Sequence, residues 1–212
     1  MAGALKGDCF CYEYHFWIHQ YYDFGGIRLA ERLYEDVRAY RDAGFFGIIQ
    51  DGSQRSFFPN GFPFYVYSRA MYDKDITLDR LREDYFSHAY GENWREFYAS
   101  LERLSELMDQ KFIEGEKSLA PDYSKYYNPE NAKKLEKVPD ELAVMRELIK
   151  KHYNSDYRVR TVAVRLLEHY CDYMTTFAEA LREKALGNDE LAFELFNKHF
   201  ASFGKRECEI ER

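Results

Sequence analysis

No uninterrupted apolar run in the sequence is long enough to cross a bilayer, and the N-terminal stretch from Met1 to Asp8 has neither a basic region nor an apolar signal core. Cysteines number only four, and their spacing and neighbouring histidines match neither a zinc nor a redox motif. The sequence therefore predicts a chain that does not span a membrane, lies in the cytoplasm, keeps its thiols free, and uses no metal and no other cofactor.

The sequence also has fewer positively charged than negatively charged residues. Lys and Arg total 30 against 37 Asp and Glu, and the net charge is −7. Because cations that neutralise phosphates supply much of the affinity for nucleic acid, this acidic chain is not expected to bind it. Internal repeats, a Gly-rich phosphate loop and a nucleophile elbow are missing too, so neither a solenoid nor those two kinds of active site are predicted.

What the chain has in quantity is aromatic surface. Hydrophobic residues make up 46% of the sequence, with 19 Tyr and 17 Phe. That is too much apolar surface for a disordered chain, and the length allows a sizeable core. A Tyr ring can be buried while its hydroxyl stays hydrated, which suits both sugar-binding walls and ordinary half-buried helices.

The N-terminal segment has the pattern of a parallel crossover unit. The run from Cys9 to Ile18 is almost all apolar and predicts a buried strand. From Ile27 to Ala43 the apolar residues have helical spacing, and Gly44 supplies the stop. Phe45 to Ile49 is a short apolar run typical of a strand buried on both faces. Strand, helix and strand in this order predict a β-α-β unit.

The remainder is predicted to be helical, so the fold class is mainly α. Thr77 is a candidate N-cap, and Gly91 a stop. The polar stretch between Gly115 and Pro139 is predicted to be a loop. The expected division is a β-α-β unit over residues 1–61 and an all-helical C-terminal domain over residues 62–212. Further helices are predicted at 64–72, 139–152, 157–186 and 189–203.

Candidate binding residues follow the two predicted strands. Ligands of parallel sheets gather at the carboxyl ends of the strands, where the loops vary on a constant scaffold. Amides, an imidazole, a carboxylate and aromatic rings suit a sugar, whose hydroxyls need planar hydrogen-bonding partners and whose C–H faces need rings. The alternative is that His19 and Asp51 only satisfy backbone groups of the loops. The rule points to Trp17, His19, Gln20 and Tyr21 after the first strand and to Gln50, Asp51, Ser53, Gln54 and Arg55 after the second. Of these, the predicted site residues are Trp17, His19, Gln20, Asp51, Gln54 and Arg55.

Glu13 is the second carboxylate of interest, with Asp51 the first. Glycoside hydrolysis normally uses two carboxyl groups, one on each side of the bond that is broken. Glu13 lies within an apolar strand, where a carboxyl must be paired or functional because an isolated buried charge is costly. Asp51 and Glu13 are therefore the catalytic candidates, and a structural ion pair is the alternative for Glu13.

A resemblance is carried by five segments: Tyr12 to Trp17, Tyr34 to Val37, Gly44 to Ile48, Gln50 to Arg55 and Phe57 to Phe62. They resemble the last strands of bacterial glycoside-hydrolase-like barrel proteins of unknown function, which are related to α-glucuronidases and hexosaminidases. The stretch from Tyr65 to Trp94 is similar to the helical segment that follows the final barrel strand in those proteins. The resemblance implies that the N-terminal unit holds the last strands of a TIM-like barrel, of which about two of eight are present.

The resemblance thus implies that the chain is the C-terminal part of a carbohydrate-active, glycoside-hydrolase-like protein, which contributes a sugar-binding surface and is not catalytically complete alone. If it is active, the reaction is glycosidic hydrolysis. The alternative is a non-catalytic helical interaction or structural module, whose exposed strand edges pair with a partner. The expected partners are carbohydrate and either the missing barrel segment or a second copy of the chain.

Overall fold

The computed structural model describes residues 8–17, 22–51, 57–119 and 126–210, with side chains as far as residue 206. The N-terminal part is a β-α-β unit, with strand β1 at Cys9–Glu13, helix α1 at Ile27–Asp42 and strand β2 at Phe45–Gln50. The strands are parallel and adjacent, with Cys11 opposite Ile48. The predicted crossover unit at the start of a mainly helical chain is therefore confirmed.

The first strand is shorter than the sequence predicted. β1 ends at Glu13, and a turn follows in which the Trp17 N–H donates to the Tyr14 carbonyl at 3.0 Å. The strand ends there because its partner ends: the last rung of the ladder is the Asp51 N–H donating to the Glu13 carbonyl at 3.0 Å. Among the described residues no strand lies beside the apolar residues that follow Glu13, so the ladder does not continue there.

The sheet is buried on one face only, so the prediction of strands buried on both faces is wrong. The inner face, with Ile48, packs against Leu33 and Val37 of α1. The rings of Phe10 and Tyr12 on the other face are accessible, with 61% and 53% of their surfaces exposed. A long apolar run indicates coverage on both faces only when further elements supply the second cover. The exposed large apolar residues of the two strands are Phe10, Tyr12, Phe46 and Ile49.

Helices form the rest of the described chain. Thr77 is the predicted N-cap of the second of them, and its side chain accepts a hydrogen bond from the Arg80 N–H at 3.2 Å. None of the described helices is both long and apolar enough to pass through a bilayer. The helices are α2 at Phe62–Tyr72, α3 at Leu78–Tyr90, α4 at Trp94–Leu107, α5 at Gln110–Ile113, α6 at Pro129–Leu135, α7 at Val138–His152, α8 at Arg158–Leu186 and α9 at Asp189–Ile210.

The loop predicted between Gly115 and Pro139 is partly wrong, because α6 lies inside it. Asn128 caps this helix by accepting a hydrogen bond from the Asn131 N–H at 2.9 Å, and Pro129 occupies its first turn. Asn followed by Pro is typical of a loop. The same pair is also a favourable helix start, since proline is tolerated where the N–H has no helical partner.

One apolar cluster extends across residue 61. Ile27 and Ala30 of α1 pack in the same cluster as Leu101 and Leu104 of α4 and residues of α8. The buried Asp23 carboxylate joins these parts, accepting from Ser105 Oγ at 2.6 Å and from the Leu29 N–H at 2.8 Å. The division at residue 61 stays a prediction, and the β-α-β unit is held against the helices by shared packing.

Candidate functional site

Asp51 and Tyr12 meet at the carboxyl ends of the two parallel strands. Asp51 follows β2 directly, and the Tyr12 hydroxyl donates a 2.7 Å hydrogen bond to Asp51 Oδ2. This bond, followed by one with Tyr14, raises the pKa of the Tyr12 phenol above its ordinary range. The phenol therefore stays protonated at neutral pH and remains a donor to Asp51.

The Tyr12 ring is the first of three aromatic rings that follow one another along the surface. The Tyr12 and Tyr14 ring centroids are 5.2 Å apart, and Tyr14 and Trp17 are separated by the same distance. All three side chains are exposed, and Trp17 has 56% of its surface accessible. We refer to Tyr12, Tyr14, Trp17 and Asp51 as the aromatic platform. Exposed tilted rings beside a carboxylate offer an apolar face and a hydrogen-bond acceptor together.

Glu13 points the other way. Its Oε1 accepts hydrogen bonds from Cys11 Sγ and from the Tyr40 hydroxyl of α1, both at 2.7 Å. Burial raises the pKa of the Glu13 carboxyl, but the bonds from Cys11 and Tyr40 and the nearby His15 outweigh burial, and the net pKa is lowered. Glu13 is therefore ionised at neutral pH and is held by hydrogen bonds on the helix side of the sheet.

The two catalytic candidates consequently lie on opposite faces of the sheet. Successive residues of a strand point to opposite sides, so Glu13 faces α1 while Tyr12 and its partner Asp51 face outward. A glycosidic bond needs its two carboxyl groups on either side of one substrate. The described geometry does not bring Glu13 and Asp51 into such an arrangement, and a role for either in catalysis stays a prediction.

His15 and Gln50 contact each other where the two strands end. The strand-end rule selected Gln50 but missed His15. His15 is buried, with Nδ1 3.3 Å from Gln50 Oε1 and Nε2 3.4 Å from Asp36 Oδ2. Gln50 Nε2 in turn donates to the Asp51 carbonyl. Side chains two residues apart in a strand point to the same face. Applying this spacing to Cys11, Glu13 and His15 would have placed all three on one face and so identified His15.

The remaining predicted binding residues, His19, Gln20, Gln54 and Arg55, lie outside the described residues. Within the described part of the chain, no group of three or more His, Cys, Asp or Glu side chains is placed to hold a metal ion. Cys9, Cys11 and Cys171 are not disulfide-bonded, as predicted.

Comparisons of this chain with protein-family models, with curated proteins and with solved structures found no match.

Proposed function

We propose that the aromatic platform is a carbohydrate-binding surface and that the chain contributes it to a glycoside-hydrolase-like protein. The observation that carries this proposal is the continuous exposed series Tyr12, Tyr14 and Trp17 next to Asp51. Sugars present C–H faces that pack on rings and hydroxyls that donate to a carboxylate. Glu13, ionised and turned toward α1, supports a role in binding rather than complete catalysis by these residues.

The open sheet face supports the barrel part of the proposal. In a closed β/α barrel, helices cover the outer face of the strands and the inner face packs inside the barrel. Here α1 covers one face, and the apolar side chains Phe10 and Ile49 on the other face are exposed. This is the distribution that two strands taken from such a barrel would have.

The experiment uses the fluorescence of Trp17. The chain has two tryptophans, and Trp94 is buried, so a Trp94→Phe variant makes Trp17 the sole indole emitter. Soluble oligosaccharides containing glucuronic acid or N-acetylhexosamine are titrated into this variant. A saturable blue shift is expected, because a bound sugar removes water from the indole. Calorimetry on the unaltered protein checks the affinity.

Two further variants distinguish specific glycan binding at the aromatic platform from nonspecific binding to exposed rings. Trp17→Ala is expected to weaken glycan binding by about tenfold or more, roughly 1.4 kcal/mol. Tyr72→Ala is the matched control, since this tyrosine is 88% exposed at the end of α2 and far along the chain from the platform. Absence of a Trp17 response to every glycan tested, or equal losses in the two variants, would overturn the proposal.

A second candidate, an interaction module that pairs with further strands, is favoured by the exposed apolar side chains Phe10 and Ile49 on one face of the sheet. Within the described residues, each of the two strands has an edge that pairs with no other strand, and such an edge is a template for another strand. Under this alternative, Ile49→Lys lowers self-association measured by light scattering after gel filtration, while Val144→Lys on α7 has no effect. Glycan binding is then absent.

A further inference from the structure

A second cleft lies away from the aromatic platform, between α3, α8 and the segment that precedes α2. Its volume is about 500 Å³, within the range of small-ligand sites. None of the four platform residues lines it. The two walls differ in chemistry, one aliphatic and one polar, so each constrains a different part of a ligand.

The aliphatic wall comes from α8. Val159, Val162, Ala163 and Leu166 have the spacing of one helix face, and all four line the cleft. Val159 and Val162 are 58% and 56% exposed, and the exposed Phe57 ring stands among the other lining residues. Covering such side chains with an apolar group is favourable by roughly 25 cal/mol for each Å² removed from water.

The polar wall is centred on Asp84 of α3. Its Oδ2 accepts a hydrogen bond from the Tyr65 hydroxyl, and its Oδ1 is 3.5 Å from Nδ1 of His88, one turn further along. Burial, and then the bond to Asp84, raise the pKa of Tyr65 to about 12, so this donor persists at neutral pH. The Asp84 side chain is therefore oriented and only partly exposed at the cleft.

The charges at the cleft favour a cation. Asp84 is the only carboxylate among the described lining residues, and those residues include no Lys or Arg. Arg69 and Arg80 are close enough to Tyr65 for their charges to act against its raised pKa, but neither lines the cleft. The rings of Tyr65 and Tyr85 also line the cleft, with centroids 5.6 Å apart. Aromatic faces attract an ammonium group by their quadrupole, which adds to the attraction of the carboxylate.

We propose that this cleft binds a small amphipathic amine. The ammonium group binds Asp84 beside the rings of Tyr65 and Tyr85, and the apolar body packs against the aliphatic wall of α8. The Asp84 carboxylate would repel an anion of the same shape. A neutral analogue would supply no positive charge to pair with it. Selectivity for the cation is therefore the property that identifies the site.

The test is calorimetric titration at neutral pH with three probes of one shape: phenethylamine, phenethyl alcohol and phenylacetate. Phenethylamine is expected to bind at least about tenfold more tightly than either of the others. In Asp84→Asn this preference disappears, while Asp79→Asn, an exposed aspartate on the same helix, retains it. Val162→Ser weakens phenethylamine and phenethyl alcohol to similar extents, because it removes apolar contact and no charge.

Thermal unfolding of each variant shows that a lost preference does not come from a lost fold. Phenylacetate binding as tightly as phenethylamine, a full preference retained in Asp84→Asn, or no phenethylamine binding at all would each overturn the proposal. These outcomes are independent of the glycan titrations, since the cleft and the aromatic platform share no residue.

Discussion

The Tyr12 hydroxyl donates a 2.7 Å hydrogen bond to Asp51 Oδ2, which joins the ends of two neighbouring parallel strands on the exposed face of the sheet. The backbone of the same strands is joined one step away, where the Asp51 N–H donates to the Glu13 carbonyl. Asp51 is thus linked to β1 by both its main chain and its side chain. That double link holds the carboxylate beside the rings of Tyr12 and Tyr14.

Asp51→Asn is expected to lower the pKa of the Tyr12 phenol toward its ordinary value. The hydrogen bond from Tyr12 to the Asp51 carboxylate is the largest cause of the raised pKa, and an amide acceptor carries no charge to oppose the phenolate. Titration of ring-labelled tyrosine by NMR measures this, with Tyr12→Phe to assign the resonance. Asp75→Asn, at an exposed site on another element, should leave the titration unchanged; an equal shift in both variants would show that the bond to Asp51 is not the main cause.

Glu13→Gln is expected to make the Cys11 thiol more reactive. Burial, followed by the hydrogen bond to Glu13 and its charge, raises the pKa of Cys11 from 9.0 to about 11. Since the thiolate is the nucleophile, removing the charge speeds alkylation by up to about tenfold for each pKa unit. Iodoacetamide labelling followed by mass spectrometry in a Cys9→Ser background measures the rate. Glu31→Gln on α1 is the control, and an unchanged Cys11 rate in Glu13→Gln would refute the prediction.

Because the buried His199 imidazole resists protonation, the fold is expected to be less stable in mild acid. This side chain is buried between α8 and α9 against Tyr173, its Nδ1 lies 2.7 Å from Thr176 Oγ1, and its Nε2 has no hydrogen-bond partner within the described chain. Burial lowers the pKa of His199 from 6.5 to about 4. The unfolded chain therefore binds the proton first, and stability falls as the pH falls from about 6.5 to about 4, by at most about 3 kcal/mol.

Urea unfolding across that pH interval measures the loss. His199→Asn keeps a polar atom near Thr176 and removes the titration, so its stability should vary less with pH than that of the unaltered protein. His88→Gln, which changes an exposed histidine on α3, should retain the full variation. A pH dependence that survives intact in His199→Asn would assign the effect to other groups.

Gly25→Ala is expected to destabilise the fold, because the added Cβ would lie 2.2 Å from the Leu101 carbonyl oxygen and from Ser105 Oγ. The backbone oxygen of α4 cannot move alone, so we expect a loss of roughly 1–3 kcal/mol, the usual cost of overpacking. Gly204→Ala is the matched control in α9, where nothing lies within 4 Å and alanine should add about 1 kcal/mol. Chemical unfolding compares them, and similar stabilities for the two variants would contradict the close packing of the segment before α1 on α4.

Local sequence patterns predicted the helices and strands whose formation depends only on residues within the same segment. The helical spacing before Gly44, the capping hydroxyl of Thr77 and the long apolar face of α8 all correspond to helices in the structure. The β-α-β order was predicted for the same reason. α6 was missed because Asn128 and Pro129 are equally typical of a turn and of a helix start.

The candidate site was predictable only in part. The strand-end rule selected Asp51 and Trp17, and both lie on one exposed surface. The rule could not assign a side to Glu13, because the face on which a strand residue lies depends on where the strand begins and on which side the helix packs. The strand-end rule also could not identify the cleft beside Asp84, because the two walls of this cleft come from residues about eighty positions apart in the chain.

By itself, the sequence determined that the chain is mainly helical, that it opens with a parallel crossover unit, and that polar side chains follow both strands. Those properties depend on residue spacing, capping and turn chemistry within one segment. Only the tertiary structure decided that one sheet face stays uncovered, that Glu13 and Asp51 point to opposite sides, and that Asp84 faces an aliphatic wall. Each of these depends on contacts between residues distant in the chain, and local periodicity carries no information about which surfaces meet.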